Sequence, residues 1–319
     1  MKVVITARDY KIDGCSAIDN LKKAGHDVID YSEAHYSNSS SEEDVIAAIG
    51  DADAVISGLE PYTEYVIKHC KNLKIISRRG IGYDNVDISY CNKNNITIAR
   101  TVGAVEGAVA EHVMAYILYY SRRIDLQNKK MQEGKWDRIM TSGAKNHVLG
   151  LVGFGGIGKE IARRAIPFGM KVIYYCRNPR ESWKHEYGVE YRTLDELLAE
   201  SDYVSINVPL TEETKDMFDD ELISKMKQGS YLINIARGPI VDDNSLKRAI
   251  ESKHLAGAAI DVFDREPCVD SVLLGVDNVI LTPHTAPYTK ENFICMNDMA
   301  AQNVIDYFNN CLNKVYQVI

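Results

Sequence analysis

Gly153-Phe154-Gly155-Gly156-Ile157-Gly158 has the spacing of a glycine turn that cradles a pyrophosphate. The pattern alone says little in a chain with 21 glycines. Its setting makes it specific: an apolar run, Val148–Val152, precedes it, a helical segment from Lys159 to Ala165 follows, and a second apolar run begins at Val172. In such a strand–turn–helix–strand unit, Gly153 permits the tight turn and Gly155 lets the backbone approach the phosphates. Gly158 lets helix and strand pack closely. The free N–H groups and positive dipole end of the helix favour an anion. The spacing predicts a dinucleotide site.

The end of the second strand bears on which dinucleotide. Val172–Tyr175 runs into Cys176-Arg177-Asn178-Pro179-Arg180, with no carboxylate to bond the adenosine ribose hydroxyls. Arg177 and Arg180 stand where a 2′-phosphate would sit, and a guanidinium grips phosphate bidentately. The pattern favours NADP(H) over NAD(H). The alternative leaves both arginines as solvated charge and the specificity mixed.

Downstream, three segments place polar residues directly after an apolar strand or its turn: Asn234–Gly238, Asp261–Pro267 and Thr282–Ala286. Ligands of open α/β sheets bind at the carboxyl ends of strands, so Arg237, Glu266 and His284 are expected to converge on the glycine turn. Together they make an anion clamp, a carboxylate orienter and a proton donor. Singly, a histidine or a Glu-Pro turn is more often structural; the ordered set is distinctive.

These residues need a scaffold. With 319 residues, 45% of them hydrophobic, the chain can bury a large core and suggests two domains. The first hundred residues alternate apolar runs (Lys2–Ala7, Val28–Tyr31, Ala54–Ser57, Leu73–Ser77, Ile96–Ala99) with helical patterns. Continuous runs of this kind suit a parallel sheet covered on both faces. Capping patterns open helices at Ser41 and Thr193. Ala104–Glu133 reads as one long helical region with a wide apolar face, either a dimer interface or a core helix. A second strand–helix series follows, with strands at Val148–Val152, Val172–Tyr175, Tyr203–Asn207, Tyr231–Ile235, Gly257–Ile260 and Val279–Leu281, and a last helix near Lys290–Asn309 closes the chain. Because the glycine turn sits mid-chain, the nucleotide domain is expected to be inserted into another α/β domain.

Charge and cysteine content exclude several classes. Lys plus Arg is 37 against 45 for Asp plus Glu, a net charge of −8, which argues against nucleic acid as the main ligand. The opening Met1–Ala7 reads as a strand rather than a signal peptide, and no apolar stretch is long enough for a membrane span. Seven cysteines without a C-x-x-C pair fit reduced thiols in a cytoplasm. No His/Cys ligand spacing suggests a metal, and no G-x-S-x-G elbow suggests a serine hydrolase.

With Arg79-Gly80-Ile81-Gly82-Tyr83-Asp84-Asn85-Val86-Asp87, Val109-Ala110-Glu111-His112, Val208-Pro209-Leu210-Thr211 and the three segments above, the sequence resembles the D-isomer-specific 2-hydroxyacid dehydrogenase family over nearly the whole chain. It is similar to short glyoxylate/hydroxypyruvate reductases and short phosphoglycerate dehydrogenase-like proteins. The resemblance implies two doubly wound parallel-sheet domains: a flavodoxin-like substrate domain (1–99 and 287–319) around a Rossmann domain (100–286), with a homodimer joined mainly through the nucleotide domains. It puts Arg237, Glu266 and His284 at the catalytic positions. Asp261 falls on the nicotinamide side, and Gly156, Ile157, Val208, Pro209, Thr214, Ile235 and Ala236 on the coenzyme. Arg79 and the backbone N–H groups of Gly80 and Ile81 fall on the substrate, the amides holding its carboxylate.

Reduction of a 2-oxo acid needs a hydride and a proton for the developing alkoxide. His284 suits the acid, Glu266 beside it favours the imidazolium, and Arg237 binds carboxylate and carbonyl oxygen. The chain departs from the family at Gly156, often Arg, and at Glu106, where small or amide residues are common. The proline usual before Gly103 is missing and Thr141–Leu149 looks shortened. Glu60 reads as a solvated loop charge, with recognition of a polar substituent as the alternative. With the chain ending at Ile319, the regulatory domain of the longer serine-pathway enzymes is not expected. Glyoxylate or hydroxypyruvate leads as substrate. An NAD-linked 3-phosphoglycerate or D-lactate dehydrogenase is the nearest rival, and a dinucleotide-sensing regulatory protein is a rival of another class.

Overall fold

Two sheets form because short runs of Val, Ile and Ala recur between amphipathic helices. The computed structural model describes residues 1–318. One unit comprises Met1–Val105, Arg265–Pro267 and the segment from Pro287 onward; the other comprises Glu106–Asp264 and Cys268–Ala286. In chain order, the second is therefore inserted into the first.

The first unit has five strands: β1 (Lys2–Ile5), β2 (Asp27–Asp30), β3 (Ala54–Ser57), β4 (Ile75–Arg78) and β5 (Thr97–Arg100). They lie in the order β2-β1-β3-β4-β5, all parallel, with Val4 opposite Val55 and Ile56 opposite Ser77. Successive side chains point to opposite faces. Val4, Val55, Ile76 and Ile98 enter one core. Val3, Ile5, Ile56 and Ile75 enter another, closed by Ala300, Ala301 and Val304 of the final helix Lys290–Phe308.

The second unit has seven: β6 (Val148–Val152), β7 (Lys171–Tyr175), β8 (Glu190–Tyr191), β9 (Tyr203–Ile206), β10 (Tyr231–Asn234), β11 (Gly257–Ile260) and β12 (Val279–Leu281). Their order is β12-β11-β10-β9-β6-β7-β8, again all parallel. The winding reverses between β6 and β9, leaving a crevice at their carboxyl ends. In the first unit the reversal lies between β1 and β3. The capping box at Thr193 is complete: Glu196 N–H donates to Thr193 Oγ1 (3.4 Å) and Thr193 N–H to Glu196 Oε2 (2.9 Å). At Ser41 the hydroxyl accepts the Asp44 N–H (3.1 Å).

Two expectations change. The region Ala104–Glu133 is two helices, Glu106–Arg122 and Ile124–Gln132, because Arg123 takes a left-handed conformation (φ 45°) between them. The first has a buried face and the second has no buried residue. Glu60 is not a solvated charge but fully buried. Its carboxylate accepts from Gly58 N–H (3.0 and 3.1 Å), from Tyr62 OH (2.9 Å) and from the Thr6 hydroxyl. It thereby ties the chain just after β1 to the loop after β3. Nothing in a loop sequence announces such a cradle, since the donors are two hydroxyls and a backbone amide.

A buried donor left without its acceptor is costly. Glu60→Leu should therefore lower stability by about 3 kcal/mol, and Glu60→Gln by less, read as urea midpoint shifts at constant slope.

Candidate active site

The glycine turn occupies the β6–β9 crevice. Gly153 has φ 100°, and a β-carbon there would lie 2.7 Å from Asn207 O, at the end of β9. A β-carbon at Gly158 would lie 2.6 Å from Gly153 O, so helix Gly156–Ala165 sits as close to the turn as glycine permits. At Gly155, the helix N-cap, the corresponding position meets nothing within 4 Å. The turn thus combines enforced tightness, open room at the residue facing the crevice and the N-terminal N–H groups of a ten-residue helix. These features fit a pyrophosphate. Gly156 has another neighbour: Glu106, buried, whose Cγ would be 2.9 Å from a β-carbon there. A side chain at 156 would require Glu106 to move.

Beyond β7, Cys176 is half-buried, and Arg177 and Arg180 are exposed. The two arginines differ in surroundings. Arg180 lies over the Trp183 ring, 5.5 Å from guanidinium carbon to centroid, while its carbonyl accepts the Tyr174 hydroxyl (3.3 Å). Arg177 faces the loop after β9. There Glu213 is held below the usual carboxylate range mainly by the Thr211 hydroxyl, with a smaller contribution from Arg177. In that loop, which includes Val208 and Pro209, Thr214 Oγ1 donates to Pro209 O (2.7 Å) and accepts the Thr211 N–H (2.8 Å). Thr214 therefore shapes the loop with its hydroxyl.

Arg237, Asp261 and His284 follow β10, β11 and β12, three neighbouring strands. The turn carrying Arg237 is braced by Asn234, which sequence reasoning passed over. Asn234 Oδ1 accepts from Ala236 N–H (3.1 Å) and its amide donates to Arg237 O (2.9 Å). Arg237 Nη1 donates to Ala236 O (2.7 Å), Ile235 is buried, and Gly238 packs directly on the backbone of Phe263 and Asp264. Near this contact, burial first and then the charges of Asp264 and Asp242 push the Asp243 carboxyl up to about 6.

His284 has φ 54°, a conformation that strains a residue with a β-carbon by about 1–2 kcal/mol. Its N–H is shared between Asp261 O (2.8 Å) and Thr282 O (3.0 Å). The fully buried Asp261 carboxylate accepts Thr285 N–H (2.8 Å) and Thr282 Oγ1–H (2.6 Å) on one oxygen and Ala286 N–H (2.9 Å) on the other. One acid thus pins the chain on both sides of His284. Glu266 lies in Arg265–Pro267, within the first unit.

In the first unit, Arg79 and the Gly80 amide have partners within the unit. Arg79 donates to Arg8 O and Asn297 Oδ1 (3.3 Å) and lies over the Phe293 ring (4.6 Å). Its guanidinium ties this unit's own loops to the final helix. The Gly80 N–H donates to Thr101 Oγ1 (2.9 Å), so this donor is engaged within the unit rather than open for a carboxylate. Arg78 arches over Gly80, its Nη1 3.2 Å from where a β-carbon would stand, and donates to Arg79 O (2.6 Å). Ile81 follows directly in this loop, half-buried.

The family model for the "D-isomer specific 2-hydroxyacid dehydrogenase, NAD binding domain" matches residues 114–286. The chain belongs to this family. Two relatives of the dehydrogenase are a glyoxylate reductase of Korarchaeum cryptofilum and a hydroxypyruvate reductase of Thermotoga maritima. The first is 37% identical over 84% of this chain and 83% of its own. The second is 39% identical over 78% and 82%. Among solved structures, the D-lactate dehydrogenase from Aquifex aeolicus, complexed with NAD and lactic acid, superposes with a TM-score of 0.86 at 29% identity, covering 100% of this chain and 99% of that one. The dehydrogenase is thus an oxidoreductase acting on CH–OH donors. Among the described residues, no helix is long and apolar enough to cross a membrane, and no group of three or more His, Cys, Asp or Glu could hold a metal ion.

Proposed function

We propose that this dehydrogenase reduces glyoxylate, hydroxypyruvate or a similarly small 2-oxo acid to the D-2-hydroxy acid, with NADP(H) as preferred coenzyme. The reading rests chiefly on Arg237, Asp261 and His284 standing at the carboxyl ends of β10, β11 and β12, in the sheet whose crevice carries the glycine turn. The names of the relatives support the substrate class.

When bound, the nicotinamide gives or takes the hydride. Gly153, Gly155, Gly156, Ile157 and Gly158 receive the pyrophosphate, and Asp261 faces the nicotinamide side. Val208, Pro209, Ile235 and Ala236 line the coenzyme. Arg237 binds the substrate carboxylate and stabilises charge growing on the carbonyl oxygen. His284 donates the proton, and Glu266 is assigned by motif the role of orienting carboxylate. Ile81 offers an amide to the carboxylate. The substrate domain comprises 1–99 and 287–319, and the coenzyme domain 100–286.

Arg177 is the stronger candidate for a 2′-phosphate, since Arg180 already lies over Trp183. Cys176 leaves the strand end without a carboxylate. A homodimer through the coenzyme domains is supported by Ile124, Met131, Trp136 and Met140, which are exposed at 66%, 50%, 75% and 98% along one stretch of chain. Seven free cysteines agree with a cytoplasmic setting.

A panel of 2-oxo acids assayed with NADPH and NADH should give turnover favouring NADPH. In Arg177→Ala the KM for NADPH should rise about tenfold, with that for NADH little changed. Silence across the panel would overturn the enzymatic reading, and a strong NADH preference the coenzyme assignment. In His284→Ala, turnover should fall about a thousandfold while NADPH binding persists; wild-type turnover would remove His284 from the mechanism. Sedimentation velocity should give twice the chain mass, and the chain mass alone for Trp136→Asp combined with Met140→Asp.

A further inference from the structure

Behind His284 runs a chain of hydrogen bonds that the mechanism above does not use, all within the second unit. His112 and Tyr116 sit one turn apart on helix Glu106–Arg122, rings edge to face with centroids 4.6 Å apart. His112 Nε2 is 2.8 Å from Tyr116 OH, which contacts Thr282 Oγ1, which donates to Asp261 Oδ1 (2.6 Å). Asp261 in turn holds the N–H groups of Thr285 and Ala286, and its carbonyl holds that of His284.

The direction of every bond follows from counting protons. An ionised carboxylate only accepts, and Asp261 accepts on both oxygens. Thr282 must spend its single hydroxyl proton on Asp261, so toward Tyr116 it can only accept. Tyr116 must then donate its proton to Thr282, leaving its oxygen to accept from His112, whose Nε2 must carry a hydrogen. Tyr116 is buried, and burial pushes its phenol well above the ordinary range, so the proton stays in place.

We infer that Tyr116 and Thr282, with His112 as terminal donor, are positioning residues for the reaction: they lock the Asp261 carboxylate in the orientation that holds His284 in its left-handed backbone conformation. The inference deepens the reading of His284 as proton donor and rests on it. None of the three side chains need touch substrate or coenzyme. A leucine or phenylalanine at 116 would fill the same space but leave the Thr282 hydroxyl without its donor, so that Asp261 is held from the Thr285 and Ala286 side alone.

Four substitutions in the full chain test this, alongside wild type on the 2-oxo acid panel: Tyr116→Phe, Thr282→Val, Thr282→Ser and the double Tyr116→Phe/Thr282→Val. Tyr116→Phe and Thr282→Val should each lower kcat about tenfold, the equivalent of one lost hydrogen bond, with NADPH dissociation constants within about twofold of wild type. Thr282→Ser, which keeps the hydroxyl, should restore kcat. The double variant should be no slower than the slower single, because both break one chain. Independently of turnover, ¹⁵N NMR of histidine-labelled wild type should show His112 as the Nε2–H form, and Tyr116→Phe should release that restriction. Wild-type kcat in Tyr116→Phe overturns the inference, as do losses in Thr282→Ser equal to those in Thr282→Val, or an Nδ1–H form of His112. If wild type turns over no 2-oxo acid, the functional reading falls, and the relay is then decided by the His112 tautomer alone.

Discussion

Parallel strands bring all their carboxyl ends to one edge of a sheet, and the winding reversal between β6 and β9 opens a crevice in that edge. Everything of chemical interest in the second unit depends on this constraint. Arg237, Asp261 and His284 are far apart in sequence yet follow three adjacent strands, so a few residues of turn after each suffice to place them. The price of such an edge is crowding, and glycine relieves it at Gly153, Gly158 and Gly238, where any β-carbon would meet backbone. The position at Gly155 contrasts with these, since a β-carbon there would meet nothing within 4 Å.

Much of this was legible because it depends on local pattern. Apolar runs and the glycine spacing locate the strands and the turn, since both signals come from residues adjacent in sequence. The capping box at Thr193 is equally local. What escaped depends on partners distant in sequence. Glu60 looks like any loop acid until Thr6, more than fifty residues earlier, closes over it. The break at Arg123 carries no glycine or proline to mark it. Arg79 reads as an open cation in a substrate loop, yet its guanidinium is taken by Arg8, Asn297 and Phe293. The Gly80 amide, likewise, is claimed by Thr101. The motif supplies residue types, whereas tertiary neighbours decide which donors remain.

The loop carrying His284 shows how a left-handed residue with a β-carbon can be held in place. A left-handed histidine persists only where the surroundings over-determine it. Here the buried Asp261 carboxylate receives two backbone N–H groups and the hydroxyls of Thr282 and Thr285, and the Asp261 backbone carbonyl receives the histidine N–H. Asn234 performs the same service on a smaller scale for Arg237, bracing the turn from within. In both cases the residue that holds the backbone is distinct from the one expected to meet substrate, and the two duties are divided between neighbouring positions.

The packing of Trp183 has an optical consequence. The chain has two tryptophans, and they occupy opposite environments: Trp136 is 75% exposed and Trp183 only 8%. Trp183 packs at a tilt against Phe154 of the glycine turn (centroids 5.1 Å apart, planes at 56°), with the cations of Lys159 and Arg180 4.9 and 5.5 Å from its ring. Burial should therefore shift Trp183 emission to shorter wavelength than that of the solvent-exposed Trp136. The two indoles thus give the molecule one buried fluorophore beside its glycine turn and one reference at its surface.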